Sequence, residues 1–297
     1  MKVVLTGSLG HINKTLVKKL VAAGHGVTVI SSSPEKREAI EAAGATAAIG
    51  SVTDVPFLTQ SFTGADVVYT MVPGNFGSAD YRKYHEDTGR GYAEAIRSAG
   101  VKKVVNLSSI GAELSSGTGP IAGLHDVEEV LNKLEGVDVQ HLRAGFFYTN
   151  YFNDIHMIKG SGIMGANYSA DSRLVLVHPD DIAAAAASAI QGESKGKQVT
   201  YVASDERVVS DIVAALGASI GKPDLKWVQF TDEQAIEGMK GAGFSQHMAE
   251  TYAEMSAAVG KGILVKYFLD NKIELTGKIK LEDFAKQFAA AFEGSAS

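Results

Sequence analysis

The chain contains no cysteine and only 6 prolines among its 297 residues. Without cysteine it has no disulfides, thiolate nucleophiles or thiolate metal ligands, a composition typical of the reducing cytoplasm, where we expect this protein to work. No apolar run approaches the roughly 20 residues of a membrane-spanning helix, and the sequence begins directly in a strand pattern. We therefore expect neither membrane association nor export.

The chain also lacks an excess of positive charge. It has 28 lysines and arginines against 34 aspartates and glutamates, which gives a net charge of -6. Proteins that bind nucleic acids usually carry a basic surface, so we expect no nucleic-acid partner. With 45% hydrophobic and 21% charged residues, the composition is that of a globular protein of one or two domains. A small molecule is the expected partner.

The first half of the chain alternates short β-branched runs with segments of helical periodicity, the pattern of a parallel sheet with crossover helices. Strands are predicted at 2–6, 26–31, 45–49, 66–70, 102–108 and 137–142. Helices are predicted at 12–23, 34–43, 54–62, 79–99 and 122–134. The fold class is therefore α/β, with a six-stranded, doubly wound sheet of Rossmann type over residues 1–145.

The pattern changes after residue 145, where we expect a second, smaller α/β lobe over residues 146–297 that binds the substrate. An aromatic cluster and a glycine-rich stretch at 159–165 mark its start. We expect residues 173–191, a strand and an alanine-rich helix, to return to the N-terminal domain. A strand at 198–202, a helix at 208–220, a strand at 226–230 and mostly helix thereafter complete the second lobe.

A glycine-containing loop lies between the first predicted strand and the first predicted helix. Gly7 permits a tight turn, Gly10 lets the backbone approach a pyrophosphate, and the helix N-terminus supplies N–H donors. The third glycine of the usual dinucleotide pattern is replaced by Asn13. An alternative is that the glycines only tighten the turn. The expected phosphate-binding residues are Gly7, Ser8, Leu9, Gly10, His11 and Ile12.

The end of the second strand usually selects the nicotinamide cofactor, because an acidic residue there binds the free ribose and repels a 2′-phosphate. No acid is present at this point, and hydroxyl and basic side chains follow instead, namely Ser31, Ser32, Ser33, Lys36 and Arg37. We favour NADP(H) over NAD(H), which stays possible. The alternative is that Ser33 caps the helix opened by Pro34 while the basic residues are solvated.

Four segments resemble the NmrA-like branch of the atypical short-chain dehydrogenases in order and spacing: GSLG at 7–10, VVNLSS at 104–109, LRAGFFYTN at 142–150 and VHPDDIA at 177–183. The tail at 275–277 and 281–284 is similar to the closing segment of that family. Within the branch, the chain is most similar to bacterial quinone oxidoreductases that use NADPH. Two departures are Asn13 and the lack of the arginine common at the end of the second strand.

The resemblance implies a monomer or homodimer with the cofactor across the sheet edge and the substrate between the lobes. Four further residues are expected at the cofactor: Met71, Val72, Pro73 and Phe146. Five are expected to line the acceptor pocket: Phe76, Ile110, Phe147, Tyr148 and Tyr151. The aromatic residues after 145 are equally consistent with ordinary core.

Ordinary short-chain dehydrogenases use a serine with a tyrosine and a lysine, which lowers the pKa of the phenol. Ser108 is available, but Ile121 stands where the tyrosine is expected, and His125 occupies the place of the lysine. His125 and Ser108 are the candidate catalytic residues, with Glu129 one turn later to orient the imidazole. His125 then binds the nicotinamide ribose or donates to a reduced substrate oxygen. The alternative is a partly exposed histidine paired with Glu129.

The other histidines show no spacing typical of metal ligands, so no metal site is expected. The sequence predicts an NADPH-dependent oxidoreductase that transfers hydride to a flat, electron-poor acceptor such as a quinone. A non-catalytic dinucleotide-binding redox sensor is the main alternative, because the missing tyrosine fits that function as well. Reduction of a carbonyl or imine with His125 as the acid is a third.

Overall fold

The computed structural model describes residues 1–294, which form two compact units. The N-terminal unit comprises Met1–Ser115, Ile121–Arg143 and Ile182–Thr200. The C-terminal unit comprises Ser116–Pro120, Ala144–Asp181 and the described chain from Tyr201 onward.

The first 144 residues contain six strands and five α-helices. The strands are β1 Lys2–Leu5, β2 Gly26–Ser31, β3 Thr46–Ile49, β4 Val67–Thr70, β5 Lys103–Ser109 and β6 Asp138–Ala144. The helices are α1 His11–Ala22, α2 Arg37–Ala42, α3 Val55–Phe62, α4 Tyr81–Ala99 and α5 Pro120–Asn132, with a 3-10 helix at Pro34–Lys36.

The remainder contains shorter strands and more helix. The strands are β7 Phe146–Phe147, β8 Ile163–Ala166, β9 Arg173–Val177, β10 Lys197–Val202, β11 Asp205–Val208 and β12 Lys226–Gln229. The α-helices are α6 Ile155–Ser161, α7 Pro179–Gln191, α8 Val209–Ser219, α9 Asp232–Gly241, α10 Gln246–Gly260, α11 Ile263–Asp270 and α12 Leu281–Gly294, and a 3-10 helix spans Tyr148–Asp154.

The large sheet has seven strands in the order β10-β6-β5-β4-β1-β2-β3. β1 pairs in parallel with both β2 and β4, so the strand order reverses at β1, as in a doubly wound fold. This confirms the predicted fold class and corrects the predicted number of strands from six to seven. The added strand is β10, whose first residues are exposed because it forms the edge of the sheet.

The expectation for residues 173–191 is corrected in part. β9 lies in a separate three-stranded sheet with β7 and β11, whereas α7 groups with the N-terminal unit from Ile182 onward. At Gly145, a Cβ atom would lie 2.5 Å from the carbonyl oxygen of Val175 in β9. Only glycine allows this close approach, so the chain leaving β6 packs directly on β9 rather than admitting β9 to the large sheet.

The core of the N-terminal unit lies between the sheet and three of its helices. Val4 and Val104 of the sheet pack with Phe62 of α3, Tyr92 of α4 and Val127 of α5, all fully or nearly fully buried. This layer leaves the carboxyl ends of the strands for the loops that carry the candidate site. No helix within residues 1–294 is long and apolar enough to cross a membrane.

Candidate functional site

The loop between β1 and α1 has the tight geometry expected of a phosphate-binding turn. Gly7 has a φ of 94°, and a Cβ atom there would lie 2.5 Å from the Sδ atom of Met71. Ser8 follows with a φ of 54°, a left-handed conformation that is uncommon for a residue other than glycine. Both the backbone and the space around it therefore require glycine at position 7.

Helix α1 begins at His11 with its first turn open to an anion. Gly10 precedes it and provides no side-chain cap, and the first turn carries no acidic residue. A Cβ atom at Gly10 would meet only the Gly7 carbonyl oxygen within 4 Å, at 3.6 Å. The uncapped N–H groups and the open space above Gly10 fit the pyrophosphate of a dinucleotide.

Asn13 performs a role that the sequence did not suggest. Its buried side-chain amide donates to the carbonyl oxygens of Thr6, at 2.7 Å, and of Ser8, at 2.8 Å. Both amide protons are thus used to fix the loop from the side of the helix. The residue that replaces the third glycine therefore supports the turn instead of disturbing it.

The predicted cofactor-selecting hydroxyls are not equivalent. Ser31 is 3% exposed, and its hydroxyl accepts a hydrogen bond from Ser8 Oγ at 2.9 Å and another from the backbone N–H of Ser33. It connects the two loops and has no capacity left to accept. Ser32 and Lys36 are exposed, which leaves them available to a 2′-phosphate. Ser33 makes no side-chain cap to the helix that Pro34 opens.

The end of β4 is fixed to the phosphate loop. Thr6 Oγ1 donates to the carbonyl oxygen of Met71 at 3.0 Å and accepts from its N–H at 2.8 Å, and Tyr92 donates to the same carbonyl at 2.7 Å. Val72 is buried and Pro73 half-buried behind this anchor. Met71 to Pro73 therefore lie beside the phosphate loop at the carboxyl edge of the sheet, and their contact with the cofactor stays a prediction.

Phe76, expected in the acceptor pocket, lies on the loop that follows. Its side chain is 55% exposed, and its ring stacks on Tyr81 with centroids 6.3 Å apart and an interplanar angle of 21°. An exposed phenyl group at the carboxyl edge of the sheet can stack on a flat ligand. Ile110, which was also expected in the acceptor pocket, is buried, with only 6% of its surface exposed.

Ser108 is more constrained than a candidate catalytic serine should be. Its hydroxyl donates to Glu128 Oε1 at 2.5 Å, and the serine is 4% exposed. Glu128 in turn accepts from Arg143, whose guanidinium also contacts Glu113 at 3.0 Å. Since its only proton is committed to Glu128, Ser108 has no proton free to donate to a substrate in this geometry, and its catalytic role stays a prediction.

His125 is half-buried on α5, with its Nδ1 atom 2.8 Å from the carbonyl oxygen of Ala112. A carbonyl can only accept, so Nδ1 carries a proton, and whenever the ring holds a single proton Nε2 presents a lone pair. The predicted orienting residue, Glu129, is exposed and is replaced in this role by the Ala112 carbonyl. Ile121, in the place of the usual tyrosine, is 6% exposed.

The aromatic cluster after residue 145 belongs to the C-terminal unit and divides into two groups. Tyr148 is fully buried, donates to Asp205 Oδ2 at 2.9 Å and stacks on Phe284, so its expected role in the acceptor pocket is corrected to a core role. Phe146 and Tyr151 lie with ring centroids 5.4 Å apart. The Tyr151 hydroxyl is buried and has no hydrogen-bond partner among residues 1–294.

Three hydrogen bonds hold two buried histidines in place. His141 is held between Asn106 and Asn132, and His85 donates to the Tyr81 carbonyl at 2.9 Å. Burial lowers the pKa of both imidazoles, which keeps them neutral. Within the described residues, no group of three histidine, aspartate or glutamate side chains could hold a metal ion.

Three residues at this edge of the sheet were missed by sequence reasoning: Glu113, Glu128 and Arg143. Arg143 lies within the stretch 142–150 that carries the family resemblance, but nothing local indicates its partners, which lie 30 and 15 positions away. The i, i+3 spacing of His125 and Glu128 on one helix was the available signal.

The N-terminal part of the chain is similar to a known family. Residues 7–145 match the profile of a family described as NAD(P)H-binding. Over 293 residues the chain is 25% identical to NAD(P)H azoreductase from Xenophilus azovorans, covering 98% of this chain and 99% of the relative.

Solved structures show the same fold. The NADPH-dependent quinone oxidoreductase of Escherichia coli in complex with NADPH has a TM-score of 0.80 and 21% identity, covering 96% of this chain and 99% of that one. The triphenylmethane reductase of Citrobacter sp. has a TM-score of 0.79 and 19% identity, covering 98% and 100%. At these identities the likeness is one of architecture.

Proposed function

We propose that this chain, whose residues 7–145 match the NAD(P)H-binding profile, is an NAD(P)H-dependent oxidoreductase that reduces conjugated acceptors such as quinones or azo dyes. The uncapped N-terminus of α1 facing the open space at Gly10 is the observation that carries the proposal. The related proteins are named for the reduction of azo compounds, quinones and triphenylmethane dyes. These acceptors share a conjugated π-system.

The chemistry divides between cofactor and chain. A bound reduced nicotinamide supplies hydride, which carries the two electrons that convert a quinone, with one proton, to a hydroquinone. The chain contributes binding and orientation: Gly7, Gly10 and the first turn of α1 hold the pyrophosphate, and Ser32 with Lys36 lies in reach of the adenosine end. His125 presents Nε2 as a hydrogen-bond acceptor, which suits a ribose hydroxyl.

This division explains why the missing tyrosine can be tolerated. Hydride transfer to a quinone leaves an aromatic, resonance-stabilised anion that water can protonate, so a strong protein acid is not required. For this substrate class, the isoleucine at position 121 in place of the usual tyrosine therefore lowers the rate of reduction only a little. We further propose that the substrate partner is a small-molecule acceptor such as a quinone, and that the cysteine-free chain works in the cytoplasm as a monomer or homodimer.

The direct test is oxidation of NADPH and NADH in the presence of a panel of quinones and azo dyes. We expect turnover by the natural chain and none by Gly10→Val, because a branched side chain would fill the pyrophosphate space. Gly238→Val is the matched control, since a Cβ atom at that helical glycine has no neighbour within 4 Å. Binding of cofactor by a folded Gly10→Val protein at unchanged affinity would contradict the phosphate-loop assignment.

A redox sensor is the second candidate, favoured by the buried Ile121 in place of a catalytic tyrosine. A sensor binds the dinucleotide without consuming it. Tight binding of NADPH by calorimetry, with no oxidation by any acceptor in the panel, would select this function over the enzyme.

A further inference from the structure

A series of polar contacts in the N-terminal unit links four elements: β5, α5, β6 and the loop between β5 and α5. Ser108 of β5 donates to Glu128, Glu128 accepts from Arg143 of β6, and Arg143 pairs with Glu113. Its charged members are largely removed from water, with side-chain exposures of 11% for Arg143, 19% for Glu113 and 4% for Glu128. The salt bridges on α4, by contrast, are exposed to solvent, and salt bridges of this kind contribute little to the stability of the fold.

The contacts use the full geometry of the guanidinium group. Arg143 donates through Nε to Glu128 Oε1 at 3.0 Å and through Nη2 to Glu128 Oε2 at 2.7 Å, the two-pronged arrangement that lysine cannot reproduce. Its third nitrogen, Nη1, donates to Glu113 Oε2 at 3.0 Å. The guanidinium thus bridges a residue on α5 and a residue on the β5–α5 loop.

Both bridged residues are tied to His125. Glu128 follows His125 by three positions on α5, so the two side chains lie on the same side of the helix. Glu113 follows Ala112 directly, and the carbonyl oxygen of Ala112 accepts the Nδ1 proton of His125 at 2.8 Å. Fixing Glu113 therefore fixes the peptide unit that sets the orientation and the tautomer of the imidazole.

We propose that Arg143, Glu113 and Glu128 form a positioning network that holds the Ala112 carbonyl and, through it, keeps His125 in the tautomer that presents a bare Nε2. One part of this proposal rests on the proposed function, namely that Nε2 binds a hydroxyl group of the cofactor or the acceptor. None of the three charged residues is a catalytic residue, since they act through Ala112.

The test separates positioning from structural support. Glu113→Gln keeps the shape of the side chain and removes its charge, and Arg143→Lys keeps the charge and removes the two-pronged contact. Glu206→Gln is the matched control, because Glu206 pairs with Arg173 in the C-terminal unit and contacts none of these residues. Circular dichroism and thermal unfolding establish that each variant is folded.

The decisive readout is the tautomer of His125, measured by long-range ¹H–¹⁵N NMR and assigned with His125→Gln. We expect the Nδ1–H form in the natural chain and in Glu206→Gln, and a mixture containing the Nε2–H form in Glu113→Gln. With a quinone, kcat should fall by less than about tenfold in Glu113→Gln, no further than in His125→Ala, with little change in the KM for NADPH, because the network acts only through His125. Arg143→Lys should show a smaller loss.

An unchanged His125 tautomer and unchanged kcat in folded Glu113→Gln would overturn the network. If the natural chain turns over no acceptor, the proposed function fails while the NMR measurement still decides the positioning. Should Arg143→Lys not fold, Glu113→Gln alone gives the answer, since Glu113 is the more exposed partner.

Discussion

The side-chain nitrogen of Asn13 lies 2.7 Å from the carbonyl oxygen of Thr6, at the point where the first strand turns into the phosphate loop. A second bond from the same nitrogen reaches Ser8. In the usual dinucleotide-binding pattern a glycine stands here to let helix and strand approach. The amide of Asn13 instead ties the helix to the loop through two hydrogen bonds.

Replacement of Asn13 by alanine should therefore loosen the loop. The two carbonyl groups lose buried partners, and we expect the free energy of unfolding to fall by about 1–3 kcal/mol and the Kd for NADPH to rise severalfold. Urea unfolding and calorimetry measure the two effects. Asn153→Ala, at an exposed position, is the control, and equal stability and affinity in the two variants would remove Asn13 from the site.

Cofactor preference should depend on Lys36 and Arg37 rather than on Ser31, whose hydroxyl is occupied by Ser8. We expect NADPH to bind about ten- to a hundredfold more tightly than NADH, from a charge-assisted contact of roughly 1.5–3 kcal/mol that solvent exposure reduces. The double variant Lys36→Ala, Arg37→Ala should lose this preference in calorimetric titrations while keeping NADH affinity. Lys18→Ala on α1 is the control, and equal affinities in the natural chain would refute a 2′-phosphate site.

Asp154 provides a pH-dependent prediction. Burial raises the pKa of its carboxyl group to about 7. The folded chain thus holds a proton that the unfolded chain releases near pH 4. Its stabilising contribution is complete below that pH and is lost as pH rises through about 7, by at most about 1.4 kcal/mol per pH unit.

Urea unfolding from pH 4 to pH 8 checks this dependence. Asp154→Asn should remove the decline, whereas Asp171→Asn, at an exposed position of the same unit, should keep it. Parallel curves for the natural chain and Asp154→Asn would show that Asp154 titrates normally.

The fold and the phosphate loop could be predicted because their signals are local. A β-branched run, a glycine turn and a helix follow one another within about 20 residues, and this order is confirmed by the fold. β10 was not assigned to the large sheet because an edge strand with exposed residues lacks the hydrophobic pattern of a central one. The pairing of β9 with β7 goes together with the close approach of Gly145 to Val175 of β9. No local sequence pattern predicts this contact.

Candidate residues of the site could be named from the sequence, but their hydrogen-bond partners could not. Ser108 and His125 were found by position, but the proton of Ser108 goes to Glu128, 20 residues away, and His125 is oriented by a backbone carbonyl. Backbone acceptors carry no residue-type signal, and charge pairs between distant segments form only when the sheet brings them together. The roles of Lys36 and the aromatic residues at the acceptor stay predictions.

His125 separates the possible mechanisms, because its neutral ring offers an acceptor at Nε2 and can donate from there only after a second proton is bound. If the residue positions cofactor or quinone by a hydrogen bond, His125→Ala should lower kcat by less than about tenfold, because water protonates the stabilised product. His156→Ala, at an exposed helical position, is the control for loss of an imidazole. Steady-state rates with NADPH and a quinone, together with cofactor affinity by calorimetry, measure the effect. A loss of about a thousandfold or more with unchanged NADPH binding would instead identify the protonated imidazole as a general acid, and would favour a carbonyl or imine as the natural acceptor, since their reduction requires a proton at the oxygen or nitrogen as hydride arrives.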